Sequence, residues 1–273
     1  MLTEIRDRVL LILLALATCL ALSPPSQAAV DANPSDRHPA SATQADQPNG
    51  SITVSAAASL MDVLPVIAAA YQKRYPGTSI RFNFGGSSTL VNQAIAGAPV
   101  DVLATASEST LWKAVEAGVA NRPWIFARNR MAIAMPADNP ARITSLADLA
   151  RPGVLVGVCD VAVPCGAAAR DLLDLNSIAI TPVTRELDVR ALLAKVVSGD
   201  LDAGIVYVTD VRAVGAQATS VAIPSDRNVT TTYPIATVGQ TSNPVLAQSF
   251  VNYVRFSRSA QGILRAYGFE RPW

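Results

Sequence analysis

The sequence predicts an α/β protein with a mostly parallel sheet covered by helices. Short β-branched runs alternate with amphipathic runs of helical period from residue 51 onward, the pattern of strand–helix units. Half of the 273 residues are hydrophobic and 16% are charged, so the chain can bury a large core. Several of the turns that lead from a strand into a helix are built from small residues, which leave the backbone accessible.

Taken in order, Ile52-Thr53-Val54 marks a strand over 52–55, followed by a helix over 62–75. Pro65 is uncomfortable inside that helix, so its start is expected near Pro65, where a missing N–H costs little. Pro76-Gly77 ends it. Ile80-Arg81-Phe82-Asn83-Phe84 alternates as a strand over 79–84, and a helix over 88–96 follows. A strand over 100–105 leads to a helix over 108–117, closed by Gly118. Residues 126–135 alternate loosely, with 131–135 a strand. Ser145 and Asp148 stand in capping-box positions for a short helix over 145–149, stopped by Arg151-Pro152-Gly153. A strand over 154–158 precedes helices over 166–173 and 189–197, and Ser198-Gly199 ends the second. Strands are expected over 202–207, 221–223 and 232–238, and closing helices over 243–256 and 260–267. This order reads as two α/β units in series, with a crossover near Arg128 and a return near Thr232. The expected organisation is one lobe of 50–128 plus 232–273 and another of 129–231, with a ligand cleft between them.

Ahead of the folded part, residues 1–28 have the pattern of a secretory signal. Arg6 and Arg8 precede an apolar run over 9–22 that is short for a membrane span, and Ser26-Gln27-Ala28 offers a cleavage site. Leu16-Ala17-Thr18-Cys19 is an alternative end, resembling a lipoprotein box that would place a lipid anchor on Cys19. Residues 29–49, rich in Ala, Asp, Pro, Ser and Gln, read as a disordered leader. The folded part is therefore expected outside the cytoplasm, in the periplasm or on the exterior of the cell envelope.

The formal net charge is +1 and basic residues form no run, which argues against nucleic acid as a partner. The single histidine, His38, lies in the leader. A Ser-His-Asp or Cys-His mechanism, or a His-rich metal site, therefore has no histidine in the folded part. No cation site and no cofactor are expected.

The candidate chemistry sits in the strand-to-helix turns. Ala56-Ala57-Ala58-Ser59-Leu60-Met61-Asp62 and Gly85-Gly86-Ser87-Ser88-Thr89-Leu90 each present free N–H groups and hydroxyls with little bulk, as an anion cradle requires. The plainer reading of the first is a capping box, with Asp62 reaching back to Ser59. Val163-Pro164-Cys165-Gly166 is a similar turn. Glu186-Leu187-Asp188-Val189-Arg190 leads into a helix whose first amide, at Val189, can point outward. The strand ending at Tyr207 closes on a phenol, which at such a position commonly packs in the core. Asp188 and Asp210 read as caps, and Arg190 is expected to face away or brace its turn. Cys159 and Cys165 form an even pair in an exported chain, which favours a disulfide over a redox or metal-binding pair.

These motifs occur together in an order and spacing that resemble the periplasmic molybdate-binding proteins of ABC transporters. The carriers are Ala56-Ala57-Ala58-Ser59-Leu60, Gly86-Ser87-Ser88-Thr89-Leu90, Ala98-Pro99-Val100-Asp101-Val102, Val163-Pro164-Cys165-Gly166, Asp188-Val189-Arg190 and Gly204-Ile205-Val206-Tyr207. Tyr267-Gly268-Phe269 resembles that family's closing motif, so the likeness covers about residues 51–269. It implies a two-lobed type II periplasmic-binding-protein fold and a monomer that is not an enzyme. It also implies the ligand set. Ser59 and Ser87 would give hydroxyl and backbone donors, Cys165 and Val189 backbone N–H groups, and Tyr207 a phenolic hydroxyl. Some members carry Ala where Cys165 stands, which is harmless because the amide is used there. The ligand would be molybdate or tungstate, passed to a membrane permease by the closed form. The alternatives are a receptor for sulfate or another tetrahedral oxyanion and, more remotely, an exported enzyme with Cys165 or Ser59 as nucleophile, which lacks a folded histidine as base.

Overall fold

The computed structural model describes residues 47–272. The expected signal segment, Cys19, His38 and all of the leader before Gln47 lie outside the described residues. Strand β1 (Gly50–Ala57) runs through a 3-10 turn at Ala58–Leu60 into α1 (Leu64–Arg74). Then come β2 (Thr78–Gly85), α2 (Ser87–Ile95), β3 (Val102–Ala104) and α3 (Glu108–Glu116). The long β4 (Trp124–Pro136) and a 3-10 turn at Leu146–Ala150 precede β5 (Val156–Cys159), α4 (Pro164–Leu175), β6 (Thr184–Glu186) and α5 (Val189–Val197). The chain continues through β7 (Ala203–Tyr207), α6 (Val208–Val214), β8 (Ala218–Ala222) and β9 (Thr230–Thr237), and closes with α7 (Pro244–Phe256) and α8 (Arg258–Ala266).

The strands pair in the order β2-β1-β3-β9-β4-β7-β5-β6, with β8 on β4. Pairing is parallel on the two flanks, where β1 joins β2 and β3, and β5 joins β6 and β7. It is antiparallel in the middle, where β9 joins β3 and β4, and β4 joins β7 and β8. The mixture has a simple cause. The flanks are strand–helix–strand crossovers, which force parallel strands, whereas β4 and β9 carry the chain from one flank to the other and back. β4 changes partner along its length: Arg130 still pairs with Thr230 of β9, and the next residue, Met131, pairs with Tyr207 of β7.

One irregularity beside Pro234 matters below. Pro234 lies in β9, between two neighbours, and its carbonyl accepts from Thr105 N–H at 3.0 Å on the β3 side, where its own missing N–H also points. The register slips there, from Ile125 opposite Pro234 to Ala127 opposite Tyr233, so that Phe126 forms a bulge.

Several expected elements differ in detail. The single 13-residue β4 replaces a loosely alternating stretch with a short strand. β6 and α6 have no counterpart among the expected elements, because each is a few residues long and leaves little periodicity. α1 does begin beside Pro65, which occupies its first turn. The Ser145–Asp148 capping box forms, with Ser145 N–H donating to Asp148 Oδ2 at 2.9 Å. The one expected at Ser59–Asp62 does not: no side chain caps the 3-10 turn at Ala58–Leu60, and α1 starts two residues beyond Asp62.

Apolar faces of the helices close over both sides of the strands. Leu60 of the turn after β1, Leu64, Ile67 and Tyr71 of α1, Leu192 and Val196 of α5, and Phe250 and Val254 of α7 are fully buried in one large cluster. Burial of each such large side chain contributes roughly 1.5–3 kcal/mol. Asp101 ties the ends of the fold together. Its carboxylate accepts from Thr53 N–H at 2.7 Å and from Thr241 Oγ1 at 2.5 Å, joining β1 to the segment after β9.

Candidate functional site

Ser59, Ser87, Cys165, Val189 and Tyr207 all line one small cavity, although the sequence separates the first from the last by more than half of the folded chain. Its other lining residues are Ala57, Ala58, Gly85, Gly86, Ala106, Val163, Pro164, Leu187 and Asp188. The cavity gives about 20 Å³ to the centre of a water-sized solute. With a water radius of ~1.4 Å added, that is a sphere of roughly 3 Å radius, room for one compact ion and not for a sugar or an amino acid.

Each lining element brings a donor for a local reason. Ser87 is the first residue of α2, where an N–H has no intrahelical acceptor. Its Oγ accepts from Ala106 N–H at 3.2 Å, so its hydroxyl proton is spare. Cys165 follows Pro164 in the first turn of α4. Val189 is the first residue of α5, and Asp188 sets its role: Asp188 Oδ1 accepts from Arg190 and Ala191 N–H, both at 2.9 Å, so the cap passes over Val189. The Asp188 carboxylate is thereby turned onto its own helix, as a cap should be.

Tyr207 is 1% exposed, and its hydroxyl has no hydrogen-bond partner among the described residues. A buried hydroxyl left without a partner costs about 1–3 kcal/mol, so a phenol in this state at a cavity wall is a donor waiting for an acceptor. Burial, followed by the neighbouring Tyr233 and Asp210, raises its pKa well above the ordinary tyrosine value, so it stays protonated.

Behind this wall stands a layer that no sequence motif revealed. Ser59 Oγ lies 2.9 Å from Tyr233 Oη, and Asn129 Nδ2 donates to the same phenol at 3.3 Å and to Thr209 Oγ1 at 2.7 Å. Tyr233 is fully buried, edge-on to Phe126, Tyr207 and Phe269 with ring centroids 6.3, 5.9 and 5.3 Å away. Phe269 belongs to the closing Tyr267-Gly268-Phe269 motif, so that motif buttresses the site from behind. The pair Tyr233-Pro234 is the one available signal, since a proline in a central strand marks a bulge. Asn129, between two arginines, reads as surface.

Arg190, expected to face away or brace its own turn, reaches beyond it to acidic groups of other elements. Its Nη1 lies 3.1 Å from Asp62 Oδ2 and 3.8 Å from Oδ1 of the fully buried Asp210. Asp210 also accepts from Tyr207 N–H through Oδ2 at 3.1 Å, the capping role read from the sequence. Desolvation pushes the Asp210 pKa up to about 7, against the opposing pull of Arg190. No lysine, arginine or histidine lines the cavity among the described residues. Positive potential there comes from the starts of α2, α4 and α5, each worth roughly 0.3–2 kcal/mol to an anion.

Cys159 and Cys165 are joined in a disulfide, with their Cα atoms 5.6 Å apart. It ties the end of β5 to the first turn of α4, directly behind the Cys165 amide. The alternative readings of this pair as free redox or metal-binding thiols fall away.

A fold of this architecture with a pocket of neutral donors and helix starts defines a solute-binding protein. The chain belongs to the family described as bacterial extracellular solute-binding protein, which it matches over residues 52–270. It is 41% identical to the molybdate-binding protein ModA of Mycobacterium tuberculosis over 223 residues, 81% of this chain and 85% of that one. It is 31% identical to ModA of Haemophilus influenzae, over 80% of this chain and 89% of the relative. Among solved structures, the periplasmic molybdate-binding protein of Azotobacter vinelandii superposes with a TM-score of 0.72 at 19% identity, covering 81% of this chain and 100% of that one. The sulfate-binding protein SubI of M. tuberculosis superposes with a TM-score of 0.69 at 20% identity, covering 82% and 87%. The fold is therefore shared by receptors named for different anions.

Proposed function

We propose that this protein is the extracytoplasmic molybdate receptor of an ABC transporter, with Ser59, Ser87, Cys165, Val189 and Tyr207 as its ligand set. The observation that carries the reading is the unpartnered Tyr207 hydroxyl beside two spare hydroxyl or amide donors on each side of the cavity, with no cation among them. Molybdate is a doubly charged tetrahedron that can only accept hydrogen bonds, so a wall of donors matches it. Hydrogen phosphate carries a proton that needs an acceptor, and it would leave that proton opposed to another donor. Tungstate, alike in shape and charge, is expected to bind as well.

Residues 50–128 with 232–273 form one lobe and 129–231 the other in this reading. The partner switch within β4 between Arg130 and Met131 supports that division. Ser59 and Ser87 then come from one lobe, and Cys165, Val189 and Tyr207 from the other, so that binding holds the lobes together. The monomeric closed form is what a membrane permease would receive. Export fits the family description, and a lipid on Cys19 remains an expectation of the sequence; a relative from Bacillus subtilis, 29% identical, is named a substrate-binding lipoprotein.

The test is a thermal-unfolding panel with molybdate, tungstate, sulfate and phosphate, run on the wild type and on Tyr207→Phe. At a thousandfold excess over Kd, a ligand adds about 4 kcal/mol, or roughly 8–16 °C in Tm for a domain of this size. Molybdate and tungstate should give that shift and phosphate none. Tyr207→Phe should leave the ligand-free Tm unchanged or higher, since the lost hydroxyl had no partner, yet shrink the molybdate shift. A wild type that responds to sulfate and not to molybdate would replace this reading with the sulfate one.

A further inference from the structure

The hydroxyl of Ser59 can give or take a hydrogen bond, and an anion that has no proton needs it to give. The layer behind the site fixes which it does. Arg130 N–H donates to Asn129 Oδ1 at 3.0 Å, which sets the orientation of the Asn129 amide and turns its NH2 toward Tyr233 and Thr209. Asn129 can therefore only donate to the Tyr233 oxygen. The phenol's single proton needs an acceptor of its own. Ser59 Oγ, 2.9 Å away, is the acceptor within hydrogen-bond geometry among the described residues. Burial keeps this phenol protonated. With its oxygen already accepting from Tyr233, Ser59 has its own proton left for the cavity it lines.

We propose that Tyr233, oriented by Asn129, is a positioning residue that makes Ser59 an obligate hydrogen-bond donor and so tunes the site for anions without protons. The inference rests on the reading of this cavity as an oxyanion site and adds to it a source of selectivity in a residue that does not line it. The surroundings of Tyr233 are rigid enough for this role. Phe126, Tyr207 and Phe269 hold the ring edge-on from three sides, and the bulge opposite Pro234 fixes the backbone next to it. A relay built on exposed or mobile groups would let the Ser59 proton turn away from the cavity. This one holds it there.

The experiment compares wild type, Tyr233→Phe, Ser59→Ala and the double variant by calorimetric titration with molybdate and with phosphate, near-UV circular dichroism reporting the fold. Tyr233→Phe keeps the ring and removes the relay. It should weaken molybdate about five- to tenfold, and it should lower the molybdate-to-phosphate affinity ratio, because the Ser59 proton, no longer turned to the cavity by Tyr233, can rotate away and present an Oγ lone pair to the proton of hydrogen phosphate. Ser59→Ala should weaken molybdate further, and adding Tyr233→Phe to it should change affinity by less than twofold, since the relay acts only through Ser59. Asn129→Leu, which frees the Tyr233 oxygen without touching the ring, should also lower the ratio and gives the same answer if Tyr233→Phe fails to fold. An unchanged ratio in the folded variants, or losses that multiply in the double variant, would overturn the inference. A wild type that ignores molybdate and takes sulfate would defeat the functional reading alone, and the same comparison with sulfate would still decide the relay.

Discussion

Asp210 shows how one buried group can set a pH dependence for the whole chain. It is fully buried, accepts from Tyr207 N–H, and has Arg190 as its nearest opposite charge at 3.8 Å. Desolvation dominates and raises its pKa from 3.8 to about 7. The folded state thus holds this proton more tightly than the unfolded chain does. Between pH about 4 and about 7 the native protein binds more protons than the unfolded one, so this contribution to stability is complete at the acidic end and is lost as the pH rises toward 7. Its size is on the order of a few kcal/mol. Asp210→Asn removes the titration while keeping an oxygen for Tyr207 N–H. Urea unfolding of both proteins from pH about 4.5 to about 8, a range that brackets the titration, should show the wild type losing stability relative to the variant as pH rises. Parallel profiles would mean that Asp210 does not carry the dependence.

At the scale of elements, the site is a set of helix starts, and the disulfide holds one of them. Cys159 and Cys165 close a short loop, with a sequence separation of 6, between β5 and α4. By loop-closure entropy this is worth about 2 kcal/mol. Reduction, or Cys159→Ser with Cys165→Ser, should lower Tm by roughly 4–8 °C. It should also weaken molybdate, since the Cys165 amide sits in the loosened turn, and calorimetric titration under reducing conditions would show an unchanged affinity if the turn stood without its bridge. This is also the scale at which the sequence is most legible. α5 can be read to its residue limits, because Asp188 caps it and Ser198-Gly199 stops it. The strand-to-helix turns show locally where free N–H groups and hydroxyls lie, because small residues, a hydroxyl and the following helix are local facts, whereas the choice of the five as one set comes from the family resemblance. The short β6 and α6 leave too few residues for a period to show, and the antiparallel middle of the sheet depends on two strands far apart in the chain. Tyr233 and Asn129 are hidden for the same reason. Their roles arise only when β9 is laid beside β4: Asn129 reads as a surface residue between two arginines, and Pro234 signals a bulge without giving Tyr233 a role. Asp62 reads wrongly as a cap because its long-range partner, Arg190, cannot be seen from the turn itself.

Three of the contacts between the two proposed lobes, all close to the cavity, bear on whether the molecule works by closing. Ser88 Oγ donates to Ala162 carbonyl at 2.8 Å, Arg190 lies against Asp62 at 3.1 Å, and Gly86 packs against the Leu187 backbone. The last is the most telling, since it allows no side chain. A Cβ on Gly86 would collide with the Leu187 carbonyl oxygen, yet Gly86 has φ −61° and ψ 127°, a conformation that alanine adopts freely. Gly86→Ala therefore carries no strain within its own segment and acts only when the lobes approach. If closure accompanies capture, the ligand-free variant should unfold within about 2 °C of the wild type. Its affinity for molybdate should fall by about tenfold or more, the effect of roughly 1–3 kcal/mol of overpacking borne by the closed state alone. Small-angle scattering should then show a contraction on saturation with molybdate for the wild type and a smaller one for the variant. Were the contact permanent, the substitution would destabilise the ligand-free protein as much as the bound one and the scattering profiles would not respond to the anion. The idea of two halves joined by a shared ligand would then give way to a site preformed in a rigid body.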